Sequence, residues 1–406
     1  MKVMYVTIQF PAPTETFATN EVRMLVQRGA SISVHCLRAE HRDAARLASD
    51  RGVERVPTTH NSARSFARGV LHSIRRPRLA AGTVRWLLRS TRRQPRDMFA
   101  SLAILPRAFD ILAEVERERP HVVHMYWGHF PALVGRLVQQ RLPEIVTSLS
   151  MVAYDLTREY GAVIDVARRA DVVRTHANVN RDHVARFTGV DREAVNVVYN
   201  GIDVAWLDAA KEGCPRVRHR VFAAGKLTPN KGMGNVVQAF SAVHERWPNA
   251  TLVIAGDGPQ RADIEAECRR AGIEASVRLL GHVDHARVIR EMAMAEVFLL
   301  LSSAPGERLP NVVKEGMASG CVCITTPTPG IEELLQDGVT GYVVDAADVT
   351  RVADIVDRVF SGSVDVDTIT VAARRHIERS FDLASTAPRY LTLWRDAIGR
   401  RSSVRD

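Results

Sequence analysis

Two glutamates and two lysines are the residues of this chain best placed to do chemistry. Glu307 and Glu315, with seven residues between them, lie in the stretch VFLLLSSAPGERLPNVVKEGMASGCVCITTPTPGIEEL, residues 297–334. The stretch opens with an apolar run, 297–301, that reads as a buried parallel strand. A loop carrying Pro305, Gly306 and Glu307 follows. Pro310-Asn311 predicts a helix with Asn311 as its N-cap, running to a stop at Gly320, and 322–325 reads as a second strand. In such a β-loop-α-β unit, ligands sit beyond the carboxyl ends of the strands, where Glu307 falls. The unpaired amides of Leu309, Asn311, Val312 and Val313, at the positive end of the helix dipole, would seat a phosphate. Asn311 and Glu315 are four apart, about 6 Å along the axis, and share a face. A ligand with phosphates at the helix start would bring its next polar group, such as a ribose diol, level with Glu315. Glu307 would then lie on the other side of the phosphates, and a carboxylate at each end of a diphosphate is what a nucleotide-sugar site requires.

The lysines stand out by scarcity. Of 55 basic residues only Lys2, Lys211, Lys226, Lys231 and Lys314 are lysine. Lys226 and Lys231 sit in GKLTPNKG, just after the apolar run 221–224, where a compact ammonium can meet diphosphate oxygens. No Walker motif is present, since the glycines at 225, 232 and 234 do not match its spacing. The elements that must carry these residues alternate strand and helix along the whole chain. Strands are predicted at 3–8, 31–37, 122–125, 145–149, 172–175 and 195–199, and again at 221–224, 252–255, 277–279, 297–301 and 322–325. Helices fall between them, which is the pattern of parallel sheets with crossover helices. A polar Pro/Gly-containing linker, 204–218, separates two such series.

Several of these residues carry a family resemblance. Glu307 and Glu315, followed by Gly-Met-Ala-Ser-Gly and the later Gly330-Ile331-Glu332-Glu333, resemble the E-x7-E signature of family-4 retaining glycosyltransferases of the GT-B fold. Pro13-Thr14-Glu15-Thr16-Phe17 is similar to the opening loop of the exopolysaccharide and colanic-acid-type branch, with Thr14 where Ser is common. Asn200-Gly201-Ile202-Asp203 is similar to the junction that closes the first domain of that family. The resemblance implies an α/β chain of two Rossmann-like doubly wound domains facing a central cleft. Residues 1–203 would be the acceptor-side domain, with the C-terminal helix 388–406 crossing back onto it, and 204–387 the nucleotide-sugar-binding domain.

The activity implied is that of a hexosyltransferase-type enzyme without metal or cofactor. It would move a sugar from a UDP- or GDP-sugar, with retention, to a hydroxyl of a glycan or lipid-linked acceptor in cell-surface polysaccharide or glycolipid synthesis. Glu307, Lys231 and His124 would be catalytic. Lys226, Gly225, Glu315, Leu309, Asn311, Val312, Val283 and Gly256 would bind the donor, and Thr16 and Glu15 would form a cleft loop. Two departures bear on this. Lys226 stands where Arg is usual, and the His of a His-Gly-x-Asp motif is replaced by Ser150, leaving His124 or His129 to contact the transferring sugar. Two rivals keep the fold and change the role: a nucleotide-sugar 2-epimerase, or a non-catalytic nucleotide-sugar-binding subunit of a polysaccharide assembly complex.

Composition bounds the rest. The 406 residues, 46% hydrophobic, suffice for two or three domains, and no run approaches the roughly 18 apolar residues of a membrane-spanning helix. Cys36, Cys214, Cys268, Cys321 and Cys323 lack metal-ligand spacing, which points to a reduced, cytoplasmic setting. The formal charge of +9 favours anionic partners. It is concentrated at 64–96, where ten arginines interleave with apolar residues at helical spacing. Such helices would suit an anionic membrane surface and a peripheral place on its inner face, the alternative being a solvated basic face. No nucleic-acid-binding motif accompanies the charge.

Overall fold

Short apolar runs buried on both faces build two all-parallel sheets, as expected where crossover helices cover each side. The computed structural model describes residues 1–13, 15–303 and 307–403. Thr14 of the loop after the first strand and Pro305 and Gly306 of the loop before Glu307 lie outside the described residues. The chain divides into two units, Met1–Gly201 with Thr386–Asp406, and Ile202–Ser385.

Unit 1 holds strands β1 (Lys2–Thr7), β2 (Ser31–Cys36), β3 (Thr58–Thr59), β4 (Val122–Tyr126), β5 (Val146–Ser150), β6 (Val172–Thr175) and β7 (Val195–Val197). Their order in the sheet is β3-β2-β1-β4-β5-β6-β7. Unit 2 holds β8 (Arg220–Ala224), β9 (Thr251–Ala255), β10 (Val277–Gly281), β11 (Val297–Leu300), β12 (Val322–Thr325) and β13 (Tyr342–Val343), in the order β10-β9-β8-β11-β12-β13. Each sheet therefore grows outward in both directions from its first strand. That leaves a topological switch point between β1 and β4 in unit 1 and between β8 and β11 in unit 2.

Helices deepen each core. In unit 1 the final helix, Leu383–Ser403, sends Tyr390, Leu391 and Trp394 among Val3, Tyr5 and Val122, and the Trp394 indole donates to Ser148 Oγ at 3.0 Å. The basic stretch forms two helices, Ala63–Ile74 and Pro77–Ser90, and the start of a third, Pro95–Glu118. The third is longer than the apolar pattern at 108–119 indicates. Pro95 at its first turn pre-sets the backbone, and the helix continues through Pro106. Among the described residues no helix is long and apolar enough to cross a membrane.

Candidate active site

In unit 2 the loop that leaves β8 closes onto the end of β11. Gly232 makes this possible: its φ is +67°, and a Cβ there would stand 1.8 Å from the Leu301 carbonyl oxygen. The Ser303 amide donates to the Asn230 carbonyl at 3.0 Å, fastening the two loops. Lys231, next to that fastening, places Nζ 2.9 Å from both carboxylate oxygens of Glu307. Ser302 Oγ lies 2.5 Å from Glu307 Oε2 and adds a second donor. Both side chains are partly exposed at the carboxyl ends of adjacent parallel strands. A charge-assisted pair held this way can exchange partners when an anionic ligand arrives.

The helix Asn311–Ala318 departs from the predicted cap. Pro310 occupies the cap position and, among the described residues, makes no side-chain cap at this end. Asn311 is the first helical residue, and its Oδ1 instead accepts from Lys314 Nζ at 2.9 Å. Lys314 is buried over the Phe381 ring, 5.1 Å from its centroid, and burial pulls its ammonium down to about 7. The Val313 and Lys314 amides donate to the Pro310 carbonyl at 3.1 and 3.2 Å, while among the described residues the Asn311 and Val312 amides have no backbone partner and stand at the positive end of the helix dipole.

One turn further on, Glu315 Oε1 lies 2.9 Å from His285 Nε2. A carboxylate only accepts, so Nε2 carries the proton. His285 in turn stacks on Trp206, centroids 4.7 Å apart and planes 23° from parallel. Gly225 and Lys226 follow β8, Gly256 follows β9, and Val283 follows β10, so these residues share the carboxyl edge of one parallel sheet with Glu307. Lys226 is exposed. Ser302, His285 and Trp206 are partners that sequence reasoning missed. His285 meets Glu315 from 30 positions away and Trp206 reaches it only through His285, whereas Ser302 lies five residues ahead of Glu307 in the chain.

In unit 1 the switch point between β1 and β4 gathers Glu15, from the loop after β1, and Trp127, the first residue beyond β4. Trp127 holds φ +124°, a costly backbone for a bulky residue and one that over-determined functional loops retain. Glu15 Oε2 and Trp127 Nε1 are buried and, among the described residues, make no hydrogen bond of good geometry. Burial pushes the Glu15 carboxyl up to about 7, with Trp127 and then Arg51 pulling the other way. Thr16 opens the helix Thr16–Gln27, and its carbonyl accepts from Thr19 Oγ1 at 2.8 Å.

His124 takes a different place from the one implied by the resemblance. It is wholly buried within β4, with Nδ1 2.9 Å from Ser148 Oγ and Nε2 3.1 Å from Ser150 Oγ. Burial, and then the Arg174 charge, hold it neutral. A strand residue facing a packed side has no surface left for a sugar. His129, beyond the strand, retains slight exposure and lies 2.7 Å from Asp155 Oδ1 through Nδ1. Asp155 Oδ2 also accepts the Val152 amide at 3.0 Å. A carboxylate only accepts, so Nδ1 carries a proton in this pair and the ring is held in one orientation.

Two parallel sheets with crossover helices, one in each unit, are the architecture of the GT-B fold. Residues 205–376 match the profile of glycosyl transferases group 1. The amylovoran biosynthesis glycosyltransferase AmsK of Erwinia amylovora is 24% identical over 94% of this chain and 96% of its own. The N-acetyl-alpha-D-glucosaminyl L-malate synthase of Bacillus anthracis is 28% identical over 71% of this chain and 78% of its own. Among solved structures, Anabaena Alr3699/HepE in complex with UDP superposes with a TM-score of 0.70 at 16% identity, covering 97% of this chain and 99% of that one.

Proposed function

We propose that the chain transfers a sugar, with retention, from a nucleotide diphosphate sugar to a hydroxyl of a glycan or lipid-linked acceptor in polysaccharide or glycolipid synthesis. The observation that carries this reading is the Lys231–Glu307 pair at the β8/β11 switch point, beside an uncapped helix start. Departure of the nucleotide concentrates negative charge on the β-phosphate. Lys231 and the amides of Asn311 and Val312 would stabilise that charge, and preorganised donors of this kind supply the largest electrostatic share of many rate enhancements. Lys226, exposed on the same loop, would steer and neutralise the diphosphate. Glu307, released from Lys231 or sharing it, would hold sugar hydroxyls, and Glu315 would take the ribose diol in place of His285. On the acceptor side we assign His129, rather than the sealed His124, together with Glu15 and Thr16.

The nucleotide is UDP or GDP, and the UDP in the HepE structure makes UDP the first to try. A thermal-shift screen of UDP, GDP and their sugars reads this directly. Ligand at 100 times its Kd stabilises the native state by about 2.7 kcal/mol. Glu307→Ala and Lys231→Ala should each lower transfer on the order of 10²–10³-fold while the fold is kept. Wild-type activity in both variants would remove the reading. Donor turnover with and without a lipid extract separates it from its rivals: an epimerase consumes donor without acceptor, and a binding subunit consumes none.

A further inference from the structure

We propose that the helix Ala63–Ile74, with the basic segment that follows it, is a docking surface for an anionic lipid bilayer. This helix is built inside out. Ser65 and Gly69, four apart, are its buried residues, while Phe66, Leu71 and Ile74 are 41%, 45% and 67% exposed. Phe66, Val70 and Ile74 recur every four positions and so form one row, with Leu71 beside it. The side turned to the protein is the small one. A Cβ on Gly69 would stand 1.8 Å from the Pro106 carbonyl oxygen of the helix Pro95–Glu118. Arg68 reaches Asp110 on that helix at 2.8 Å, and Arg76 pairs with Glu116 there. Close backbone approach and two ion pairs thus fix the helix, and its large apolar residues are left facing outward. An amphipathic helix ordinarily turns such residues to the core, so a reversed one marks an interaction surface.

Charge decides what covers it. From Arg55 to Arg96 the chain carries eleven arginines and no aspartate or glutamate. Arg64 and Arg75 border the apolar row beside Leu71, and Arg78, Arg85 and Arg89 follow on the next helix. All five are exposed and have no carboxylate partner among the described residues. A second copy of this face would set like charges against one another. A nucleic acid would answer the arginines but offer nothing to Phe66, Leu71 and Ile74. The headgroup and acyl boundary of an anionic bilayer answers both. The inference stands on this geometry and holds whether or not the transfer reaction does.

Vesicle flotation of the full chain at low salt tests it, using phosphatidylcholine with and without phosphatidylglycerol. The wild type should float with the mixed vesicles and not with phosphatidylcholine alone. The triple variant Phe66→Ser/Leu71→Ser/Ile74→Ser should lose roughly 10²-fold in partitioning, since it removes the inserted surface. Arg75→Gln and Arg78→Gln should each lose roughly fivefold. All these positions are exposed, so melting temperature and the thermal shift with UDP should stay as in the wild type, which separates loss of docking from loss of the nucleotide site. A wild type that remains unbound to mixed vesicles overturns the proposal, as does a triple-serine variant that floats equally well. Tight heparin binding that the triple variant keeps, without flotation, would reassign the surface to a polyanion. A wild-type dimer that the triple variant dissolves would reassign it to a second copy.

Discussion

At the scale of the residue, Glu15 sits in surroundings that oppose its charge. Its folded carboxyl titrates near 7 because burial disfavours the charge, whereas an unfolded carboxyl titrates near 4.5. Between those values the folded state binds more protons than the unfolded one, so stability falls as pH rises through that window. Glu15→Gln removes the burden. It should flatten the decline between about pH 4.5 and 7 and stabilise the protein at pH 8 by on the order of 1–2 kcal/mol, read as Tm against pH. A profile unchanged by the substitution would place the carboxyl in contact with water. The same scale shows where sequence reading stops. Glu307 and Lys231 were legible because one lies in a spaced motif and the other is a rare lysine. His129 and His124 were not separable, since histidines near one strand end look alike until packing seals one between Ser148 and Ser150. Asn311 looked like a cap by type, yet Lys314, three residues later, claims its side chain.

At the scale of the element, strands were the most legible part of the fold. Runs such as 221–224 and 297–301 are apolar throughout, and a parallel strand covered on both faces demands that. The helix Ala63–Ile74 shows the opposite limit. Its periodicity declares an apolar face but not the direction in which the face points. That direction is set by Gly69 against Pro106, a contact across 37 positions that no local pattern records. Two substitutions on this helix should therefore rank against hydrophobic intuition. Gly69→Leu drives a side chain into backbone and should cost about 2–4 kcal/mol. Ile74→Ser removes an apolar side chain from an exposed position and should stay within about 0.5 kcal/mol of wild type. Denaturant midpoints measure both, and the reverse ranking would mean the helix docks by its other face.

At the scale of the whole molecule, the chain visits unit 1, builds unit 2, and returns its last eighteen described residues to unit 1, where one buried carboxylate receives them. Glu21 accepts from Tyr5 near the start of the chain, from Arg174 at 3.1 Å, and from Tyr390 on the returning helix. Arg174 also donates to Ser150 Oγ at 2.6 Å and to the Val198 carbonyl at 3.3 Å, and it lies under the Tyr390 ring, 4.4 Å from the centroid. A salt bridge this deeply buried is weak evidence of net stabilisation, because both ions were taken from water. Removing one partner is another matter. Arg174→Met leaves the buried Glu21 carboxyl without its cation and held by the Tyr5 and Tyr390 hydroxyls, which should cost about 3–5 kcal/mol. Pairing it with Glu21→Leu removes the stranded charge and should recover much of that loss, so the two substitutions are non-additive. Tyr390→Phe deletes one hydroxyl and should cost only about 1–2 kcal/mol. If the network is what seats the returning helix, hydrogen exchange in 386–403 should rise in Arg174→Met ahead of exchange in β1 and β4. Exchange rising equally everywhere would instead mean that the helix and the sheet unfold as one, with the apolar packing of Trp394 and Leu391 sufficient to hold the helix in place.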